Sequence, residues 1–310
     1  MGWARERGVV IAILTYRRPD DLRVALPAFV AQAEQVEADV RLLVVDNDPE
    51  GSAAEYVTGF ADSRLRYVNE RRPGIAAARN RALDEASQAD LLIFVDDDER
   101  PSEGWLGAML QAHADFRATC VVGPVVSDFA AELEPWVAAG RFFDRRRMAT
   151  GTLVTVAATN NLLLDMVQVR RDGVRFDEAF GLSGGSDTLF TRSLVRHGAR
   201  MVWCDEAVVV DMVPTERLTR RWVLHRARRI GNSTSRVAVV LAGSAPRRLG
   251  IRILFVARGG ARILGGSVRR CVGVLTRSAE HDARGLRTVE RGIGMVSGAL
   301  GTVVYEYRRE

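Results

Sequence analysis

Three consecutive aspartates, Asp96-Asp97-Asp98, close an unbroken apolar run from Leu91 to Val95. Such a run between polar residues reads as a strand buried on both faces. Three carboxylates at its end repel one another unless something positive neutralises them. At the carboxyl edge of a parallel sheet, where α/β proteins hold their ligands, that charge points to a divalent cation and its phosphate ligand. The alternative is an acidic strand-to-loop turn in water, since Asp is a common turn residue.

The same pattern recurs upstream. Val9–Leu14 is apolar and ends in Thr15-Tyr16-Arg17, and Val40–Val45 is apolar and ends in Asp46-Asn47-Asp48-Pro49. Helical stretches fall between the strands, at Asp20–Gln35, Ser52–Phe60 and Ile75–Gln88. This alternation predicts right-handed βαβ units and an α/β fold with a mostly parallel central sheet flanked by helices. Thr15, Asp46 and Asp98 then share one carboxyl edge, where a nucleotide belongs. Asp46 could accept from the imide N–H of a pyrimidine base, or close a plain Asx turn. Asp96 suits a ribose hydroxyl, and Asp98 a metal clamping a diphosphate. Asp97 is grouped with the same site, although alternation along an extended strand turns it away from the ligand.

Further along, helix Trp105–Asp115 and strand Cys120–Val126 precede an irregular segment, residues 128 to 150, positioned to cover a site as a mobile loop. Thr159–Leu164 reads as a strand, Gly184-Gly185-Ser186-Asp187 opens a helix, and Met201–Trp203 and Ala207–Val210 close the sheet.

Six segments, in this order, resemble an inverting family 2 glycosyltransferase with the nucleotide-sugar-binding GT-A (Rossmann-like) fold. Within that family they resemble the branch of succinoglycan-type exopolysaccharide glucosyltransferases. The segments are Ile11–Asp20, Leu43–Ser52, Pro73–Arg81, Leu92–Pro101, Thr159–Leu163 and Gly184–Phe190, and the likeness spans roughly residues 9 to 222. The resemblance implies a nucleotide-diphosphate-sugar donor, UDP-sugar favoured, and a Mn²⁺ or Mg²⁺ cofactor. Thr15, Arg17, Asp46, Asn161 and Gly185 fall in its nucleotide-sugar-binding segments. Arg79 and Asn80 match its ArN motif, Asp96 and Asp98 the outer members of its DxD motif, and Asp98 is the implied metal ligand. Asp187 matches the general base of its ED motif, a carboxylate that deprotonates the acceptor hydroxyl opposite the leaving diphosphate. By itself Asp187 also reads as a first-turn acid of its helix. Two positions depart from the family: Ser186 stands where Glu usually precedes the base, and Asp211 where relatives often place a metal-binding His. Asp coordinates Mn²⁺ or Mg²⁺ as well as His does. Arg217–Trp222 faintly echoes the QxxRW motif of processive relatives.

Composition sets the frame. The chain has 310 residues, 47% hydrophobic and 27% charged, which is ordinary for a globular protein. Its 3 cysteines are far apart and without zinc spacing, so disulfides are not expected and a reducing cytoplasm fits. Met1–Arg7 leads straight into a strand, without the pattern of a signal peptide, and no transmembrane helix is expected. Net charge is +5 overall, but 20 Arg against 5 acids after residue 216 give that part +15 and leave −10 before it. A catalytic domain over 1–216 and a basic helical region over 217–310 are therefore expected.

Between Arg247 and Arg277, eight arginines fall within an arc of about 140°, with most aliphatic residues opposite. Gly259-Gly260 and Gly265-Gly266 weaken a continuous helix, which predicts two or three shorter segments. A basic face opposite an apolar face suits an anionic membrane surface, and Gly292–Tyr305 reads as a second stretch that dips into it. The alternative is a helix packed on the catalytic domain with its arginines outward. Few aromatics interleave with the arginines, so nucleic acid is not an expected partner. The reading is a peripheral transferase on the inner face of the cell membrane, acting on a glycan or lipid-linked acceptor in cell-surface or exopolysaccharide synthesis. Alternatives are a sugar-1-phosphate nucleotidyltransferase, which would want a Gly-rich loop where Thr15–Pro19 has none, or an inactive scaffold.

Overall fold

The computed structural model describes residues 8–305; the charged start, Met1–Arg7, and the last five residues of the basic tail lie outside them. The first apolar run forms β1 (Val9–Thr15), buried throughout. Pro19 then opens α1 (Pro19–Ala33), with Asp20 and Asp21 in the first turn where the helix dipole favours acids. Next come β2 (Val40–Asp46), α2 (Ala54–Gly59), β3 (Leu65–Asn69) and α3 (Ile75–Glu85). The aspartate-bearing strand is β4 (Leu91–Asp96), followed by β5 (Glu99–Pro101), α4 (Trp105–Phe116), β6 (Cys120–Val122) and β7 (Val125–Phe129). After α5 (Pro135–Gly140) come β8 (Leu162–Asp165), α6 (Met166–Asp172), α7 (Ser186–Arg196), β9 (Met201–Trp203) and β10 (Val209–Val213). Three helices finish the chain: α8 (Arg220–Leu241), α9 (Ala245–Leu275) and α10 (Ala279–Ala299).

The described residues fall into two compact units. One runs to Asp128 and adds Arg145–Gly181 and Ser186–Met212; the other takes Phe129–Asp144, Leu182–Gly185 and the chain from Val213. In the first unit a seven-stranded sheet has the order β3-β2-β1-β4-β8-β6-β9. β1 to β4 are mutually parallel, β8 runs antiparallel to β4 and β6, and β6 is parallel to β9. Alternate residues serve opposite faces: Ile11, Ile13, Leu42 and Ile93 pack with Phe29 and Trp105. Their neighbours Val10, Ala12, Leu43 and Phe94 pack with Ala82 and Phe190. Full burial of each such aliphatic side chain contributes about 1.5–3 kcal/mol. In register Thr15 lies opposite Asp46, and Leu14 opposite Asp96, so the polar strand ends share one edge.

The second unit is helical. Trp136, Val137, Phe143, Leu218, Val223 and Ala283 form its core beside α8 and α10. Part of the segment expected to be irregular, 128 to 150, is ordered by β7 and by α5, which starts on Pro135. The basic tail is also corrected: instead of two or three segments, α9 is one helix of 31 residues. Its Gly259 and Gly266 lie against the α10 backbone, where a Cβ would stand 2.8 Å from the carbonyl oxygens of Gly292 and Gly285 respectively. Close backbone packing offsets the propensity cost of each glycine, about 1 kcal/mol. Gly292–Tyr305 is likewise no separate interfacial stretch. Gly292, Gly294, Met295, Gly298 and Ala299 are buried in α10, packed against α8 and α9.

Candidate active site

β1 and β4 deliver the acidic edge. Thr15 Oγ1 donates to Asp97 Oδ2 at 2.7 Å inside the fold. Arg18, the residue immediately before α1, bridges Asp97 at 3.3 Å and Asp98 at 2.8 Å. Asp97 thus faces β1 and the start of α1, and Asp98, beside it in the turn after β4, meets the same guanidinium. The Asp96 amide donates to Glu99 Oε2 at 2.9 Å, and Asn160 Nδ2 donates to Glu99 Oε1 at 2.9 Å. Asp211 in β10 lies opposite Glu99 in β5, and the Met212 amide donates to the Asp98 carbonyl at 3.0 Å. Arg145 closes over the Asp211 carboxylate as an ion pair.

Burial, then the Asp98 carboxylate, pushes the Asp96 carboxyl up to about 6. Burial pushes Asp97 to about 7 against the opposing pull of Arg18. Glu99 is held well above the usual carboxylate range by burial and then by Asp96. Burial and mutual repulsion hold Asp96, Asp97 and Glu99 toward their protonated forms beside Asp98 and Asp211, so ionisation of all five acids together calls for positive charge beyond Arg18, Arg79 and Arg145.

That deficit and an all-oxygen donor set fit a hard divalent cation. Among the described residues no three His, Cys, Asp or Glu side chains converge as a preformed cage.

The remaining expected site residues divide by what they touch. Asp46 is fully buried; its Oδ1 accepts from the Asp48 amide and its Oδ2 from the Ala53 amide, each at 2.9 Å, and Tyr67 adds its hydroxyl at 3.1 Å. The Asx turn is therefore real, and Asp46 shapes the loop after β2. Arg17 has a left-handed backbone, φ 54°, and its Nε donates to Asp48 Oδ1 at 3.2 Å. Asn80 clamps the Phe176 backbone reciprocally, at 2.9 and 3.0 Å. Asn161, expected to meet the nucleotide sugar, has its amide committed to bracing. It accepts from Trp105 Nε1 at 2.9 Å and donates to the carbonyls of Pro124 and Ala207 at 2.9 and 2.8 Å. Its neighbour Asn160 is the amide that reaches the acidic cluster.

Gly184 and Gly185, at φ 74° and 97°, lead the backbone into α7. Asp187 stands in the first turn of that helix and is half-buried. Ser186, just before it, is buried and accepts from Arg79 Nη1 at 2.8 Å. Arg79 is itself buried, its guanidinium 5.5 Å from the Phe176 ring centroid and its Nε without a hydrogen-bond partner. Arg18, Glu99, Asn160 and Arg145 were missed as site residues in the sequence. Glu99 alone carried a signal, as the fourth acid of the run that begins at Asp96.

A parallel β1–β4 core, with acids on its carboxyl edge and a carboxylate opening α7, defines a GT-A-type nucleotide-sugar-binding protein. The chain matches Glycosyl transferase family 2 over residues 10–167 and belongs to that family, whose members transfer a sugar from a nucleotide-diphosphate-sugar to an acceptor. It is 31% identical over 295 residues to the succinoglycan biosynthesis protein ExoM of Rhizobium meliloti (strain 1021), covering 94% of this chain and 92% of that protein. Among solved structures it is similar in fold to S. aureus TarS 1–349 in complex with UDP. The TM-score is 0.53 at 15% identity, over 91% of this chain and 90% of that one. It is also similar to GalNAc-T7 with UDP, GalNAc and Mn²⁺, with TM-score 0.52 at 10% identity over 74% of this chain and 51% of that one.

Proposed function

We propose that the chain is an inverting, divalent-cation-dependent glycosyltransferase that uses a UDP-sugar and acts on a glycan or lipid-linked acceptor at the inner face of the cell membrane. The observation that carries this reading is the charge deficit at the carboxyl edge. Asp96 and Glu99 are held toward their protonated forms beside Asp98 and Asp211, and a bound cation would supply the positive charge that lets them ionise. Asp98 and Asp211 would hold the Mn²⁺ or Mg²⁺, which would supply electrostatic stabilisation of the leaving diphosphate. The names of ExoM, a succinoglycan biosynthesis protein, and of the TarS complex with UDP-GlcNAc support the substrate class.

Asp187 removes the proton from the acceptor hydroxyl as that oxygen attacks the anomeric carbon. The bond from that carbon to the diphosphate breaks on the opposite face, which inverts the centre. Arg79 presents a buried guanidinium to negative charge at the site, and Arg17, Asp96 and Gly185 contact the nucleotide sugar. Thr15, Asp46, Asn80, Asp97 and Asn161 act as positioning residues through the loops they hold. In this reading residues 1–216 carry catalysis and 217–310 associate with the membrane. The test is UDP release from a panel of UDP-sugars, with and without Mn²⁺. Release that needs the cation supports the reading, and equal release in a chelator contradicts it.

A further inference from the structure

α9 carries seven arginines and no acidic residue across its 31 positions. Its buried residues, Phe255, Gly259, Gly266 and Gly273, share one narrow stripe at about 100° per residue. That stripe meets α10, where a Cβ on Gly273 would stand 2.3 Å from the Asp282 amide nitrogen. The arginine-rich side turns toward α10 with it: Arg270 pairs with Asp282 at 3.4 Å. Most of these arginines, Arg247, Arg248, Arg258, Arg262 and Arg270, remain exposed beside that contact.

The aliphatic face is left outside. Leu275 is 84% exposed, Leu264 70%, and Ile253 and Val274 each 62%. With Leu249 and Val268 they span an arc of about 120° on the side away from the glycine stripe, and no charged residue interrupts it. Arg247 and Arg258 border the arc on one side, Arg252 and Arg270 on the other. An apolar patch of this extent with a charged rim marks an interaction surface.

We propose that α9 lies in the plane of an anionic bilayer, its aliphatic arc among the acyl chains and its arginine borders at the lipid phosphates. The helix offers about 46 Å of contact at 1.5 Å rise per residue. Among the described residues no helix is long and apolar enough to cross a membrane. The in-plane orientation buries the arc while keeping Arg247, Arg258, Arg252 and Arg270 at the polar boundary. A second copy on this face would set arginine borders against arginine borders, whereas lipid phosphates neutralise both. The proposal rests on the membrane-surface part of the reading above and on none of its catalytic residues.

Cys271 is exposed on α9, while Cys120 and Cys204 are buried, so an environment-sensitive thiol label reports on this face. The labelled chain is mixed with vesicles of phosphatidylcholine alone or with phosphatidylglycerol. Expected are flotation with the anionic vesicles, a blue shift of the label, and binding about tenfold weaker to neutral ones. The double variant Leu264→Glu, Leu275→Glu alters exposed positions only. It is expected to lower partitioning at least tenfold with an unchanged helical spectrum. Absence of flotation, or equal flotation of the variant, overturns the proposal. So does a blue shift without vesicles accompanied by a doubled mass, which identifies a second copy as the occupant. UDP release from UDP-sugars without vesicles is read in parallel; its failure counts against the transfer reading and leaves the lipid result standing.

Discussion

Ser186 Oγ accepts a 2.8 Å hydrogen bond from Arg79 Nη1 in the interior, one residue before the carboxylate of Asp187. A hydroxyl therefore meets the buried Arg79 guanidinium at this position, without an acid to pair with it. Arg79 keeps its charge available, and its Nε is unpaired. Ser186→Ala is expected to leave a second buried donor unsatisfied, at a cost of about 1–3 kcal/mol. Calorimetry should show a melting temperature lower by several degrees, and Ser186→Glu should recover part of that loss. An Ala variant that melts with the wild type would mean the bond contributes nothing.

Arg145 and a divalent cation both need the Asp211 carboxylate. Removing the guanidinium in Arg145→Ala is expected to strengthen Mn²⁺ binding several-fold, because the cation no longer competes with an ion pair. Electron paramagnetic resonance of free Mn²⁺ during titration measures this without reference to turnover. Unchanged or weaker binding would show that Asp211 serves Arg145 alone.

Burial raises the Asp97 carboxyl to about 7 in the folded chain, above the 3.8 of an unperturbed Asp. The folded state therefore holds a proton that the unfolded chain gives up near pH 4. The stability linked to that proton is fully present below pH 4 and is lost as pH rises through about 7. In a chelator, the melting temperature of the wild type should fall between pH 5 and pH 8. Asp97→Asn, neutral throughout, should reduce that slope and leave the part owed to Asp96 and Glu99; a slope unchanged in the variant would assign it wholly to those groups.

The glycine pairs of α9 separate two tasks in adjacent residues. A Cβ on Gly266 would stand 2.8 Å from the Gly285 carbonyl and 2.9 Å from the Val289 amide, whereas one on Gly265 meets nothing within 4 Å. Gly266→Ala is expected to destabilise by about 1–3 kcal/mol through overpacking. Gly265→Ala is expected to be neutral or to stabilise by up to about 1 kcal/mol through helix propensity. Chemical denaturation of the two variants decides it; equal effects would contradict the packing described for α9 and α10.

These contrasts show what the sequence could and could not reveal. The β1, β2 and β4 cores were legible because each is a continuous apolar run closed by polar residues, and the strand ends placed Thr15, Asp46 and Asp96 on one edge. The continuity of α9 was hidden, because the glycines count against a helix until α10 supplies backbone to pack on them. Arg18 carried no signal either: its partners Asp97 and Asp98 lie about eighty residues away, joined only by the β1–β4 pairing. For Asn161, local sequence could not distinguish a ligand-facing amide from one whose bonds go to Trp105, Pro124 and Ala207.

The proposed inverting transfer depends on Asp187 as its base. Asp187→Asn keeps the size and position of the side chain in the first turn of α7 and removes its capacity to take a proton. The direct measurement compares UDP-sugar binding by calorimetry with glycosyl transfer to acceptor in that variant. Binding within about twofold of the wild type with transfer reduced at least a hundredfold is the predicted result. Transfer at the wild-type rate would contradict it.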